Sequence, residues 1–307
     1  SRGVAAGYDG AMLEERIPVA TGVGLRVLRW EPDPPSGSSR GVPFVLVHGL
    51  ASNALVWRGV AGYLAAAGDP VAAVDLRGHG RSDKPDGGYD FATVAEDLRA
   101  VVAALGLDRP VLVGQSWGAG VVVETAVRNP EIARGVALVD GNLTDLQDAF
   151  GSWEECWARL TPPPSTGLPR EKVEAWFAVQ HPDWPAEAIQ DSLGNFEIRE
   201  DGTVAPWLSL DHHREIVRAM WDQRVSESWA AVRVPVLILP VDGHDQIRTE
   251  AKRAGAETAE KALTAAGVPV RVRWFEGDHD IHAQRPAELA EALLEAERDG
   301  LFAGSAS

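Results

Sequence analysis

The stretch Val111 to Gly120 (VLVGQSWGAG) narrows most what this chain can fold into. A short apolar run enters Gly114-Gln115-Ser116-Trp117-Gly118, and helix-like sequence follows, so a serine is carried on a sharp strand-to-helix turn. The glycines answer a steric demand, because such a turn presses backbone against backbone and leaves no room for a side chain. Similar apolar runs at Leu25 to Trp30, Phe44 to Val47, Val71 to Asp75, Val136 to Val139, Val236 to Leu239 and Val270 to Phe275 read as strands. Most are continuously apolar, as strands buried on both faces must be, and helical periods separate them. The expected class is therefore α/β, a mostly parallel sheet with helices on its faces.

One helix is legible in detail. Phe91, Val94, Ala95, Leu98, Val101, Val102 and Leu105 recur at spacings of three and four, with Asp90 placed to cap the start and Gly106 to stop the end. Pro32 to Gly41 reads as an exposed loop, since strand-like sequence resumes directly after it. Beyond Asp140 the alternation stops until about Ala231, and seven of the eleven tryptophans fall in that interval beside a proline cluster at Pro162, Pro163 and Pro164. This predicts a core made of residues 1–140 and 232–307, with a mainly helical lobe inserted at 141–231. Aromatic rings supply much burial each, and a lobe this rich in them is expected to line an apolar pocket, with Trp153, Trp157, Trp184 and Trp221 as the candidates.

A serine hydroxyl is a weak nucleophile at neutral pH, so catalysis would need an imidazole to take its proton and return it to the leaving group. After the strand at Val270 to Phe275 come Gly277-Asp278-His279-Asp280-Ile281-His282, which offer two bases, His279 and His282. Attack on a carbonyl also places negative charge on oxygen, which needs fixed N–H donors. Phe44 to Val47 runs into His48-Gly49-Leu50, so the Leu50 amide can be aimed at the same point as the Trp117 amide. His48 itself reads as a ring bracing that turn.

Composition excludes several partners. Lys and Arg total 29 against 45 Asp and Glu, a net charge of −16 that repels nucleic acid and anionic membrane over most of the surface. Cys156 is the single cysteine, so no intrachain disulfide or cysteine-based metal cluster can form. No apolar run reaches the roughly 18 residues that a bilayer span requires, and no signal-peptide pattern opens the sequence. A cytoplasmic protein with no cofactor is expected, and its oligomeric state is not written in the sequence.

Taken together, His48-Gly49, Asp75-Leu76-Arg77-Gly78-His79-Gly80-Arg81-Ser82, Gly114-Gln115-Ser116-Trp117-Gly118 and Gly277-Asp278-His279 with Pro286 seven residues on resemble the α/β hydrolase superfamily over nearly the whole chain. The resemblance implies an eight-stranded sheet, a cap inserted after the sixth strand and a Ser…Asp…His order. It favours His279 over His282 as base, because the proline that opens the next helix then stands at the family's usual spacing. It places the acid on the loop after Val236 to Leu239, where Asp245 fits with one extra residue; Asp242 and the strand-end Asp140 are the alternatives. Trp117 and the segment from His48 to Arg58 resemble the dehalogenase and epoxide hydrolase branch, but those relatives carry aspartate where this chain has Ser116. The expectation is a serine hydrolase of a small hydrophobic ester or lactone, working through an acyl-enzyme. A C–C or thioester hydrolase is the alternative within enzymes, and a ligand-binding protein without turnover is the alternative outside them.

Overall fold

In the computed structural model, residues 12–20, 22–32, 41–243 and 246–303 are described, with backbone alone for 246–248. The chain opens with β1 (Met12–Pro18), β2 (Gly24–Trp30), β3 (Phe44–Val47), α1 (Arg58–Ala66) and β4 (Val71–Val74). It continues with α2 (Phe91–Ala104), β5 (Val111–Gln115), α3 (Trp117–Arg128) and β6 (Gly135–Val139). The long connection after β6 contains α4 (Leu146–Ala149), α5 (Trp153–Leu160), α6 (Arg170–Gln180), α7 (Ala186–Ser192), the hairpin β7 (Phe196–Ile198) and β8 (Val204–Pro206), α8 (Leu210–Asp222) and α9 (Val225–Ser228). The sheet then resumes with β9 (Val236–Leu239), followed by β10 (Val241–Asp242), α10 (Gln246–Ala265), β11 (Val270–Val272), β12 (Phe275–Glu276), α11 (Ile281–Gln284) and α12 (Pro286–Arg298).

Eight strands form one sheet in the order β1-β2-β4-β3-β5-β6-β9-β11. β2 runs antiparallel to both its neighbours, and every pair from β4 to β11 is parallel. Alternation along each strand divides the core: Val45 and Val47 pack toward α2, α3 and α10, whereas Phe44 and Leu46 pack toward α1 and α12. Burial of both faces explains why these strands are apolar without interruption. α2 starts where its cap was expected, with the Asp90 carboxylate accepting from Thr93 N–H at 2.9 Å. Gly106 follows at φ 62°, a left-handed stop that a glycine adopts without strain.

Two features depart from the sequence reading. β1 is an additional strand at the antiparallel edge, and its sequence, MLEERIP, is mostly exposed and charged, as an open sheet edge tends to be. The last strand is shorter than Val270 to Phe275, because Pro240 has no N–H to continue the ladder with β9. Pairing resumes one step on, where Phe275 N–H donates to Pro240 O at 2.9 Å and β12 pairs with β10. The loop expected at Pro32 to Gly41 lies, apart from its ends, outside the described residues. Among the described residues no helix is long and apolar enough to cross a membrane.

Candidate active site

Ser116 stands between the end of β5 and the start of α3 with φ 53° and ψ −119°, a backbone conformation that side chains rarely adopt. Such strain costs on the order of 1–3 kcal/mol and persists only where the surroundings over-determine it. Here they do. A Cβ at Gly114 would stand 2.1 Å from Gly118 O, and one at Gly118 would stand 2.5 Å from His48 O. A Cβ at Gly141 would meet Ser116 O at 2.2 Å, and Ser116 N–H donates to Val139 O at 3.0 Å. β3, β5 and β6 thus clamp the turn from both sides.

The His279 imidazole reaches the end of β6. Its Nδ1 lies 2.6 Å from Asp140 Oδ2, and because an ionised carboxylate only accepts, Nδ1 carries the proton and Nε2 is left free as a base. Asp140 is fully buried at its side chain and takes φ 45°. Val241 N–H donates to Asp140 Oδ1 at 2.9 Å, and Lys252 Nζ lies 2.8 Å from the same carboxylate. Burial opposes ionisation of Asp140, but the His279 bond and the Lys252 charge outweigh it and hold the carboxyl below its usual range. Burial likewise opposes protonation of His279, and the Asp140 hydrogen bond and charge overcome it, so that the ring's pKa is raised. Gln115, next to Ser116, donates from Nε2 to the His279 carbonyl at 3.2 Å and ties the two loops together.

The other candidates fall elsewhere. Asp245, expected as the acid, and its neighbour His244 lie outside the described residues; the carboxylate found on His279 is Asp140. Asp242 pairs instead with Arg253 at 2.8 Å on the exposed side of α10. His282 is 1% exposed, packs on the Trp57 ring with centroids 4.5 Å apart, and neither of its ring nitrogens has a partner among the described residues. Burial pushes its pKa down to about 3, leaving a neutral ring off Asp140.

Leu50 and Trp117 sit on the two segments that flank Ser116, Leu50 at the turn after β3 and Trp117 as the first residue of α3. Buried histidines brace that turn. His48 Nε2 accepts from Leu76 N–H at 3.1 Å while its Nδ1 donates to Gly49 O at 2.7 Å, and His79 Nε2 accepts from Ala51 N–H at 3.2 Å. Ala51 takes φ 58°, so the bend is held by these bonds rather than by a glycine. The landmark from Asp75 to Ser82 is structural: the Asp75 carboxylate accepts from Ala54 N–H at 2.6 Å and Arg81 N–H at 2.9 Å.

The four tryptophans proposed for the pocket do not form one wall. Trp153 stacks on Trp157 within α5 and meets Trp221 of α8 edge-on, each pair with centroids 6.2 Å apart, and Arg218 lies over Trp153. Trp184 is buried apart from them, stacked on His181 at 3.9 Å. His181 Nδ1 donates to Asp278 Oδ2 at 2.6 Å, and Gln284 bonds Asp183, so the Trp184 region is fastened to the loop that bears His279. Asn53, on the turn after β3, donates to Asp191 O at 3.0 Å and to Asn195 Oδ1 at 2.6 Å, a second tie from the same lobe.

Sequence reasoning missed Lys252 and Gln115, whose roles depend on neighbours more than 100 residues away. The one signal for Lys252 was Gly255, three residues on, a glycine inside an otherwise helical stretch.

Residues 42–232 match a family model described as alpha/beta hydrolase fold. The 2-(acetamidomethylene)succinate hydrolase of Mesorhizobium japonicum is 30% identical over 192 residues, which covers 62% of this chain and 67% of that protein. Among solved structures, that of an E-2-(acetamidomethylene)succinate hydrolase superposes with a TM-score of 0.74 at 24% identity, covering 93% of this chain and 98% of the other. A thioesterase domain from the curacin biosynthetic pathway gives a TM-score of 0.71 at 20% identity, covering 92% and 99%.

Proposed function

The chain belongs to the α/β hydrolase family and is a hydrolase, and on that premise we propose that it is a serine hydrolase that opens a carboxylic ester or lactone through an acyl-enzyme. The observation that carries the reading is the imidazole of His279, bonded at 2.6 Å to buried Asp140, on a residue whose carbonyl accepts from Gln115, the neighbour of Ser116. Asp140 replaces Asp245 as the acid of the proposal. Ser116 Oγ attacks the acyl carbon while His279 Nε2 takes its proton, and Asp140 keeps Nδ1 protonated and stabilises the imidazolium that forms. The amides of Leu50 and Trp117 receive the oxyanion. The imidazolium returns its proton to the leaving oxygen, and a water activated by the same ring then releases the acid. A serine in place of the carboxylate that displacement at an sp³ carbon requires supports acyl transfer over dehalogenation or epoxide opening.

The substrate is proposed to be small and apolar on its acyl side, with Trp184, stacked on the His181 that bonds Asp278, as the ring of the inserted lobe proposed to meet it. The second reading, cleavage of a thioester or C–C bond, uses the same residues. A panel at one pH separates them: p-nitrophenyl acetate, propionate and butyrate, a γ-lactone, an acyl thioester, a vinylogous diketone, and 2-(acetamidomethylene)succinate, for which the M. japonicum relative is named. The ester reading predicts that kcat/KM is highest on the oxygen esters and rises severalfold per carbon from acetyl to butyryl, since a buried methylene is worth about 0.8 kcal/mol. Turnover confined to the thioester, the diketone or the succinate would replace it.

A further inference from the structure

Lys252 has no part in the reaction just described, yet its Nζ stands 2.8 Å from the Asp140 carboxylate and 3.0 Å from Val241 O, with its side chain 22% exposed. Asp140 does not need this partner to hold His279, because Val241 N–H already fixes Oδ1. Lys252 reaches it because α10 lies unusually close to the chain that follows β6: a Cβ at Gly255 would meet Leu143 O at 1.8 Å.

The consequence is electrostatic. With the imidazole neutral, the charges of Asp140 and Lys252 cancel. Once His279 takes the serine proton, the imidazolium and the Lys252 ammonium share the one Asp140 carboxylate, and their like charges repel. Among the described residues, Asp140 bonds the ring, Asp278 and Asp280 flank His279 in the chain, His181 engages Asp278, and buried His282 is neutral, so Lys252, held on Asp140, is the cation set against those carboxylates. We propose that Lys252 is a positioning residue that holds down the basicity of His279, so that the ring is free to accept a proton at lower pH and gives it up more readily to the leaving group. The inference rests on the assignment of His279 as base made above.

Lys252→Met removes the cation and Lys252→Arg keeps it. The test is the pH dependence of kcat/KM on p-nitrophenyl butyrate, together with that of the inactivation rate by a fluorophosphonate, which reports on the same base without any assumption about substrate. In Lys252→Met the acid limb of both profiles should move to higher pH by about one unit, the scale expected of one charge a few Å away in a partly solvated site. Lys252→Arg should leave it in place. A uniform loss with the limb unmoved would mean that Lys252 only holds α10, and would overturn the inference. If the wild-type protein is not modified at Ser116 at all, the serine hydrolase reading fails instead. Should Lys252→Met not fold, Lys252→Gln, which keeps a hydrogen bond and loses the charge, carries the same comparison and the same two outcomes.

Discussion

Asp140 concentrates the chemistry of the site into one side chain. Its two oxygens accept from Val241 N–H, His279 Nδ1–H and Lys252 Nζ, and its own φ of 45° is held by strands on both sides. Changing it to Asn preserves shape, but the amide favours the wrong imidazole tautomer, an effect of about 10⁴ in kcat in a serine protease. Asp140→Asn is therefore expected to lose about 10³–10⁴ in kcat, while Asp242→Asn, whose carboxylate serves Arg253, should stay within severalfold of wild type. Parallel ester assays with thermal melts check this; near-normal turnover in Asp140→Asn would return the acid role to Asp245. The pH dependence follows from the sign of the shift. As the proposed base, His279 acts only when neutral, and its pKa is raised, so kcat/KM should fall on the acid side already above the ordinary imidazole value of about 6.5.

Between elements, the sequence was most readable where one local demand dominates. The Gly114 to Gly118 turn, the Asp90 cap and the Gly106 stop each follow from the backbone within a few residues, and each is where it was expected. The proposed acid was harder because Asp140 and His279 stand 139 residues apart, and only the return of the chain to the sheet at β9, beside β6, brings the end of β6 to the histidine loop, with no signal in spacing along the chain. Which tryptophans meet was not legible either, since period and composition do not say which rings touch. α10 depends on such a contact at Gly255. Alanine there would favour an isolated helix by about 1 kcal/mol, yet its Cβ would meet a backbone oxygen that cannot rotate away. Gly255→Ala is expected to cost about 1–3 kcal/mol of stability, as overpacking does, and to lower kcat as α10 recedes from Asp140. Urea denaturation with parallel kinetics measures both; a variant as stable and active as wild type would show that Lys252 does not depend on this approach.

Across the whole molecule, the serine turn and Asp140 emerge from the carboxyl ends of the adjacent strands β5 and β6, and the histidine loop follows β12, which extends past the end of β11, at the end where an open α/β sheet gathers its ligands. The long connection after β6 folds back onto that same end. Among its fastenings, Asn53 to Asp191 and Asn195, Arg58 to Asp191 at 2.9 Å, and His181 to Asp278 join it to the turn after β3, to α1 and to the His279 loop, while Tyr89 with His212 ties it to the segment before α2. On the proposed function, those ties would let this connection cover the reacting group, with the histidine side chain about half exposed to what enters. The central claim is that this architecture makes Ser116 a nucleophile, and mass spectrometry of the intact protein after brief exposure to a fluorophosphonate tests it most directly. One equivalent should add to wild type, map to the peptide bearing Ser116, vanish in Ser116→Ala and form far more slowly in His279→Gln. A folded wild-type protein that takes up no label, or takes it up equally in Ser116→Ala, would contradict the account.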